Sequence, residues 1–134
     1  MRRLFALCLL LPLASCDSVA PPDGFEGDWD WVYTSYGHVS GPTPETLGYD
    51  LVLRVSDGDF TLFRDGERIQ DGRYHLSRDG TLETEALRFR PMLDDPAFNE
   101  YEGDRLLIDV SHDALYLSAP CFDCVGFSFR RAAP

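Results

Sequence analysis

Four cysteines, three histidines and 23 acidic residues carry whatever chemistry this chain of 134 residues can do. The closest-spaced pair is Cys121-Phe122-Asp123-Cys124. Two thiols at that spacing can close a disulfide, share a metal or exchange electrons. A zinc site needs four ligands, and His38, His75 and His112 are scattered along the chain. A thioredoxin-like dithiol sits beside a βαβ unit, which the pattern lacks. A disulfide between Cys121 and Cys124 is the first reading if the compartment is oxidising, and a pair of free thiols is the alternative. Asp57-Gly58-Asp59 and Asp65-Gly66-Glu67 lack the ligand spacing of a calcium loop and read as turns. Asp94, Asp95, Glu100 and Glu102 could gather round a hard cation, but a solvated acidic loop is the simpler reading. The segment Tyr36 to Ser40 holds His38 and Ser40 without an orienting acid. There is no Gly-x-Ser-x-Gly elbow and no phosphate-cradling glycine loop. The expectation is a protein without catalytic residues, resident metal or cofactor.

The N-terminus has a different purpose. Met1-Arg2-Arg3 precedes an apolar run from Leu4 to Ala14, the pattern of an export signal. The run is about half the ~20 residues that a membrane-spanning helix needs. It ends in Leu13-Ala14-Ser15-Cys16, which resembles the lipobox of bacterial lipoproteins. That resemblance implies cleavage before Cys16 and acylation of its sulfur and its new amine by chains such as palmitate. Several chains, at ~0.8 kcal/mol per buried CH₂, hold a protein firmly to a bilayer. The expected organisation is a leader over residues 1–15, a lipidated Cys16 with a Pro-rich tether over 16–24, and one domain over 25–134. The implied location is the bacterial cell envelope, anchored in either the inner or the outer membrane, facing the periplasm or the cell surface. Asp17 resembles the inner-membrane retention signal of enteric bacteria, and other lineages sort differently. Such a compartment favours the Cys121–Cys124 disulfide.

Charge narrows the partners. Twelve basic residues, all arginine, stand against 23 acids, for a net charge of −11. This excludes a phosphate-gripping basic face, and hence nucleic acid. It also excludes an electrostatic grip on anionic lipid. With 44% hydrophobic and 13% aromatic residues the chain is too apolar for intrinsic disorder.

The elements that must position any site are strands. Period-2 alternation places them near 27–35, 49–56, 59–65, 68–76, 80–88, 104–111, 114–119 and 125–131. Trp29, Trp31 and Tyr33 share one face of the first strand by simple parity. Leu51, Leu53 and Val55 share a face of the second; Leu106, Ile108 and Val110 of the sixth; Val125, Phe127 and Phe129 of the last. Asp57-Gly58, Asp65-Gly66 and Asp79-Gly80 lie between strand-like runs, and Asp-Gly accepts the positive φ of tight hairpins. Ser111-His112-Asp113 makes a similar turn. Consecutive hairpins give an antiparallel meander. The expected fold is all-β, an up-and-down eight-stranded barrel, with a two-layer sandwich as the alternative. Two connections are long, Gly37 to Gly48 and Phe89 to Gly103, and long loops in compact domains are the places to look for function.

Gly27-Asp28-Trp29 opens the first strand and Arg130-Arg131 close the last. This resembles the lipocalins, in which a Gly-x-Trp strand is covered by an arginine from the barrel's end. The nearer resemblance is to small bacterial lipocalin-like lipoproteins, over FEGDWDWVYTSYG, TPETLGYDLVLRVSDGDFTLFRDGERIQDGRY and LYLSAPCFDCVGFSFRR. The resemblance implies the lipocalin-like barrel and an envelope location. Trp29 under Arg131 or Arg130 would then be structural. On this reading a small hydrophobic ligand would lie inside, against Trp29, Trp31, Tyr33, Phe60, Tyr74 and Phe127. The inward residues Trp29, Trp31, Phe60, Leu62, Tyr74, Phe127 and Phe129 equally fit a filled interior, whose protein would act through its surface as an interaction or inhibitor module. Gly72, Thr84 and Ala86 are the small inward candidates.

Overall fold

The computed structural model describes residues 19–79, 81–84, 105–121 and 123–134, with the side chains of Leu82 and Thr84 left aside. Cys16 with its leader, Gly80, the end of the fifth expected strand and the loop 89–103 with its four carboxylates lie outside them. So does the small candidate Ala86.

The described chain is all-β apart from one short helix. Strand β1 spans Gly27–Tyr36 and β2 spans Val39–Ser40, followed by helix α1 at Pro44–Leu47. Then come β3 (Leu51–Ser56), β4 (Asp59–Arg64), β5 (Glu67–Leu76), β6 (Thr81–Thr84), β7 (Arg105–Val110), β8 (Ala114–Ser118) and β9 (Val125–Arg131). All pair antiparallel in one curled sheet of order β2-β1-β3-β4-β5-β6-β7-β8-β9, and β1 also pairs with β9.

The strands form where alternation and turn chemistry require them. Asp57 and Asp65 have φ of 52° and 49°, and the glycines after them both have 82°. Two consecutive positive φ values are the primed hairpin geometry that suits twisted strands. They set the registers Ser56 opposite Asp59 and Arg64 opposite Glu67.

The concave face carries one contiguous core. Trp29, Trp31, Leu51, Leu53, Val55, Phe60 and Leu62 meet Leu106, Leu115, Leu117, Val125, Phe127 and Phe129 there, all buried. Ile108 and Val110 are half-buried against it.

Parity fails once in β1. Trp31 lies opposite Phe129 and Tyr33 opposite Ser128, so Val32 is an extra residue in a bulge. Beyond it the inward positions become Thr34 and Tyr36, and Tyr33 turns outward, 36% exposed. Tyr33 therefore does not share a face with Trp29 and Trp31.

The 37–48 connection also has structure of its own. Thr43 caps α1 by accepting from the Thr46 N–H, while Thr46 Oγ1 accepts from the Thr43 N–H at 2.8 Å. Pro44 supplies the first turn, and Gly48 ends the helix in the left-handed region.

Candidate functional site

The two ends of the curled sheet differ. At one end the chain enters across the strand ends. Val19 N–H donates to Leu76 O at 3.1 Å, and Phe25 N–H closes a turn on Pro22 O. Phe25 is buried and meets the Tyr74 ring edge-on, with centroids 5.4 Å apart. Trp29 Nε1–H donates to Phe25 O at 2.9 Å. Asp57 N–H donates to Glu26 Oε1, and Arg131 N–H to Asp113 O. The turns at 57–58 and 111–113 thus gather round the entering segment.

Arg131 ties this end together. It lies directly across from Trp29 in the β1–β9 register. Its guanidinium carbon sits 3.7 Å from the centre of the Trp29 ring, a cation–π stack. Nη1 donates to Glu26 O at 2.8 Å and Nη2 donates to Gly24 O. Of the two terminal arginines, Arg131 is the one on the tryptophan. The stack also explains Gly27. Its φ is 131°, and a Cβ there would come within 2.5 Å of Arg131 Nη1. A side chain at position 27 would expel the guanidinium.

The opposite end is bounded by longer segments. Gly37 N–H donates to Cys124 O, and His38 lies 3.5 Å from Asp123. Asp50 and Asp65 exchange bonds between the α1 connection and the β4–β5 turn. The sulfurs of Cys121 and Cys124 lie at disulfide distance, with Cα atoms 5.5 Å apart, in the turn between β8 and β9. Arg64 stacks over Tyr49, 4.2 Å from its ring centre.

Between these ends, Trp29, Trp31, Phe60 and Phe127 come together in the core, each at most 3% exposed. Tyr74 is half-buried against them, whereas Tyr33 is on the outer surface. Burial and the nearby Glu26, Asp57 and Asp59 carboxylates raise the Tyr74 hydroxyl above the ordinary tyrosine range. Among the described residues its buried Oη has no hydrogen-bond partner.

The most telling interior group is one that apolar patterning passes over. Gln70 is 6% exposed, and among the described residues neither its Nε2 nor its Oε1 has a hydrogen-bond partner. It lies across from buried Leu62, which lies across from buried Leu53, which lies across from Trp29. A second bulge, at Ile69, turns that apolar residue outward, 41% exposed, while the amide stays inside. The signal was in the parity: Gly72 and Tyr74 point inward, so Gln70 must too.

Outside the core the charges form ordinary surface pairs. Arg54 makes two 2.7 Å bonds to the Asp28 carboxylate and lowers its pKa. Asp79 accepts from Ser77 Oγ and from the Thr81 N–H, which with Arg105 nearby holds its carboxyl down at about 2. Among the described residues no group of three or more His, Cys, Asp or Glu is placed to hold a metal ion. No family model, curated protein or solved structure matches the chain.

Proposed function

We propose that the chain is a lipocalin-like, lipid-anchored protein of the bacterial cell envelope that binds a small hydrophobic molecule and does no catalysis. The ring of pairings from β1 through β3 to β9 and back to β1 supports a complete eight-stranded barrel. The Arg131–Trp29 stack over the entering segment supports the lipocalin-like closure of one end. The lipobox supports acylation of Cys16 and anchoring through it.

The observation that carries the binding reading is Gln70. An unpartnered buried carboxamide destabilises a fold by about 1–3 kcal/mol. Inside the curled sheet, with both amide atoms unpaired among the described residues, it is the group a bound molecule would satisfy. The ligand would displace apolar side chains packed on the amide, so its own tail must replace their contacts. Access would be from the end bounded by the 37–48 connection and the Cys121–Cys124 turn, because the other end is plugged by Phe25, Trp29 and Arg131.

A second reading is favoured by the continuity of the core. Eight strands enclose an interior just wide enough for side chains to fill, and Trp29, Trp31, Phe60, Phe127 and Phe129 are all buried there. Such a barrel would act through its outer surface as an interaction or inhibitor module. Native mass spectrometry on the lipidated protein, released in mild detergent from cells that export it, separates the two. A defined extra mass that leaves on denaturation, and is lost in Gln70→Leu, supports the ligand. A bare protein mass in repeated preparations refutes it and leaves the packed barrel.

A further inference from the structure

We propose that the end of the barrel closed by Arg131 faces the lipid bilayer and the end bounded by the 37–48 connection points away from it. The inference rests on the reading of Cys16 as the acylated residue and adds to it a direction.

The argument is one of chain length. Val19 N–H is bonded to the carbonyl of Leu76, the last residue of β5. From there to Phe25 the chain lies along the barrel end, with Gly24 and Glu26 carbonyls held by Arg131. The chain left to act as a tether is therefore much shorter than residues 16–24. Only Asp17 and Ser18 lie between Cys16 and Val19, and the three steps of chain, at no more than ~3.6 Å each, reach about 11 Å. The acyl chains must be in the bilayer, so Leu76 and the turn at Ser77–Asp79 beside it lie within about that distance of the lipid surface.

The opposite end cannot reach the membrane on such a leash without the barrel lying flat. Strand β1 has ten residues. At ~3.3 Å per residue and a tilt of about 40°, it spans about 25 Å along the barrel axis. The domain then stands on its tether, with its access end in the aqueous phase. A ligand would be exchanged with a water-borne or protein carrier there and would not slide in directly from the membrane.

The test uses the full-length lipidated protein in vesicles of phosphatidylethanolamine and phosphatidylglycerol that contain a headgroup-linked nitroxide lipid. One variant carries a fluorophore on His112→Cys, in the turn beside Arg131. Another carries it on Val39→Cys, which is 65% exposed at the far end. The expected result is strong quenching at position 112 and at least several-fold weaker quenching at 39. A long Gly/Ser insertion between Asp17 and Ser18 should even the two out. Equal quenching without the insertion, or stronger quenching at 39, overturns the orientation while leaving the anchor intact. Failure of the unsubstituted protein to float with vesicles overturns the anchor and the orientation with it. Cys16→Ser should abolish both flotation and quenching.

Discussion

Removing Trp29 and Arg131 singly and together tests the plug at the end of the sheet that Arg131 covers. Trp29 is fully buried, donates to Phe25 O, and carries the guanidinium on its face. Trp29→Ala deletes a large core side chain, and such a change destabilises by about 3–5 kcal/mol. Arg131→Met keeps the aliphatic stem and loses the stack, worth about 0.5–2 kcal/mol. It also loses the bonds to Gly24 and Glu26 carbonyls, which regain water at this end. About 1–3 kcal/mol in total is expected for that variant. If Arg131 acts through Trp29, the double variant should lose about 1–2 kcal/mol less than the two single losses added, since the stack can be lost only once. Urea denaturation followed by Trp31 fluorescence reads all four proteins, because Trp31 remains in each. Trp29→Phe substitutes if the alanine variant is unfolded in buffer; it keeps an aromatic face and removes only the indole N–H. Additivity within about 0.5 kcal/mol would show that the two residues are independent. It would refute the assignment of Arg131 as the group that covers Trp29 at this end of the sheet.

Four further outcomes are expected. Gln70→Leu should raise stability by about 1–3 kcal/mol in ligand-free protein, read as a later urea midpoint at unchanged slope; a loss would mean the amide is already satisfied. Cys121→Ser with Cys124→Ser should lower stability by about 2 kcal/mol, the loop-closure value for so short a loop, and reduction of the native protein should match it. The Asp79 carboxyl is held at about 2 against an ordinary 3.8. Its stabilisation is therefore present above pH 3.8 and lost as pH falls through 2. The stability gap between the native protein and Asp79→Asn should close over that window; a gap constant with pH would refute the bonds to Ser77 and Thr81. Gly27→Ala should be far more damaging than Gly126→Ala in the same denaturation series. The first is strained at positive φ and strikes Arg131, whereas the second is unstrained and meets the hydroxyl and ring edge of the 36%-exposed Tyr116, which must swing away from Ser35.

Much of the strand framework is legible in the sequence because its rules are local. Leu51, Leu53 and Val55 alternate without interruption, and so do Val125, Phe127 and Phe129; each set is buried as its parity requires. Asp57-Gly58 and Asp65-Gly66 state their turn type outright, whereas Asp79 does not take the positive φ expected of it, and Gly80 lies outside the described residues. Helix α1 falls inside the connection that alternation assigns to loop; its cap residues Thr43, Pro44 and Gly48 are in the sequence, but four residues are too few to show a helical period. What parity cannot deliver is which arginine covers Trp29. That is a matter of cross-strand register, and register is set by turns and bulges far along the chain.

Both bulges carry consequences for the interior that no single residue announces. The β1 bulge falls at Val32, where the alternation of Asp28-Trp29-Asp30-Trp31 ends in two successive apolar residues, and strict parity carried past that point misplaces Tyr33. Tyr33 is thereby lost from the interior and Thr34 gained, fully buried. The β5 bulge acts in the opposite sense. It lets the strand turn Ile69 out and keep Gln70 in, against the preference of each side chain taken alone. A fold selected only for stability would exchange the two residue types, gaining the burial of an apolar side chain and the hydration of an amide. Keeping the amide inside works against stability. Local rules broken at a loss of stability are characteristic of functional positions, and this is why the ligand reading is placed at Gln70 and not at the aromatic residues around it. Ile69→Gln combined with Gln70→Leu makes the exchange directly. It should stabilise the protein and abolish any bound mass, whereas a destabilised double variant would show that the bulge itself requires the natural order.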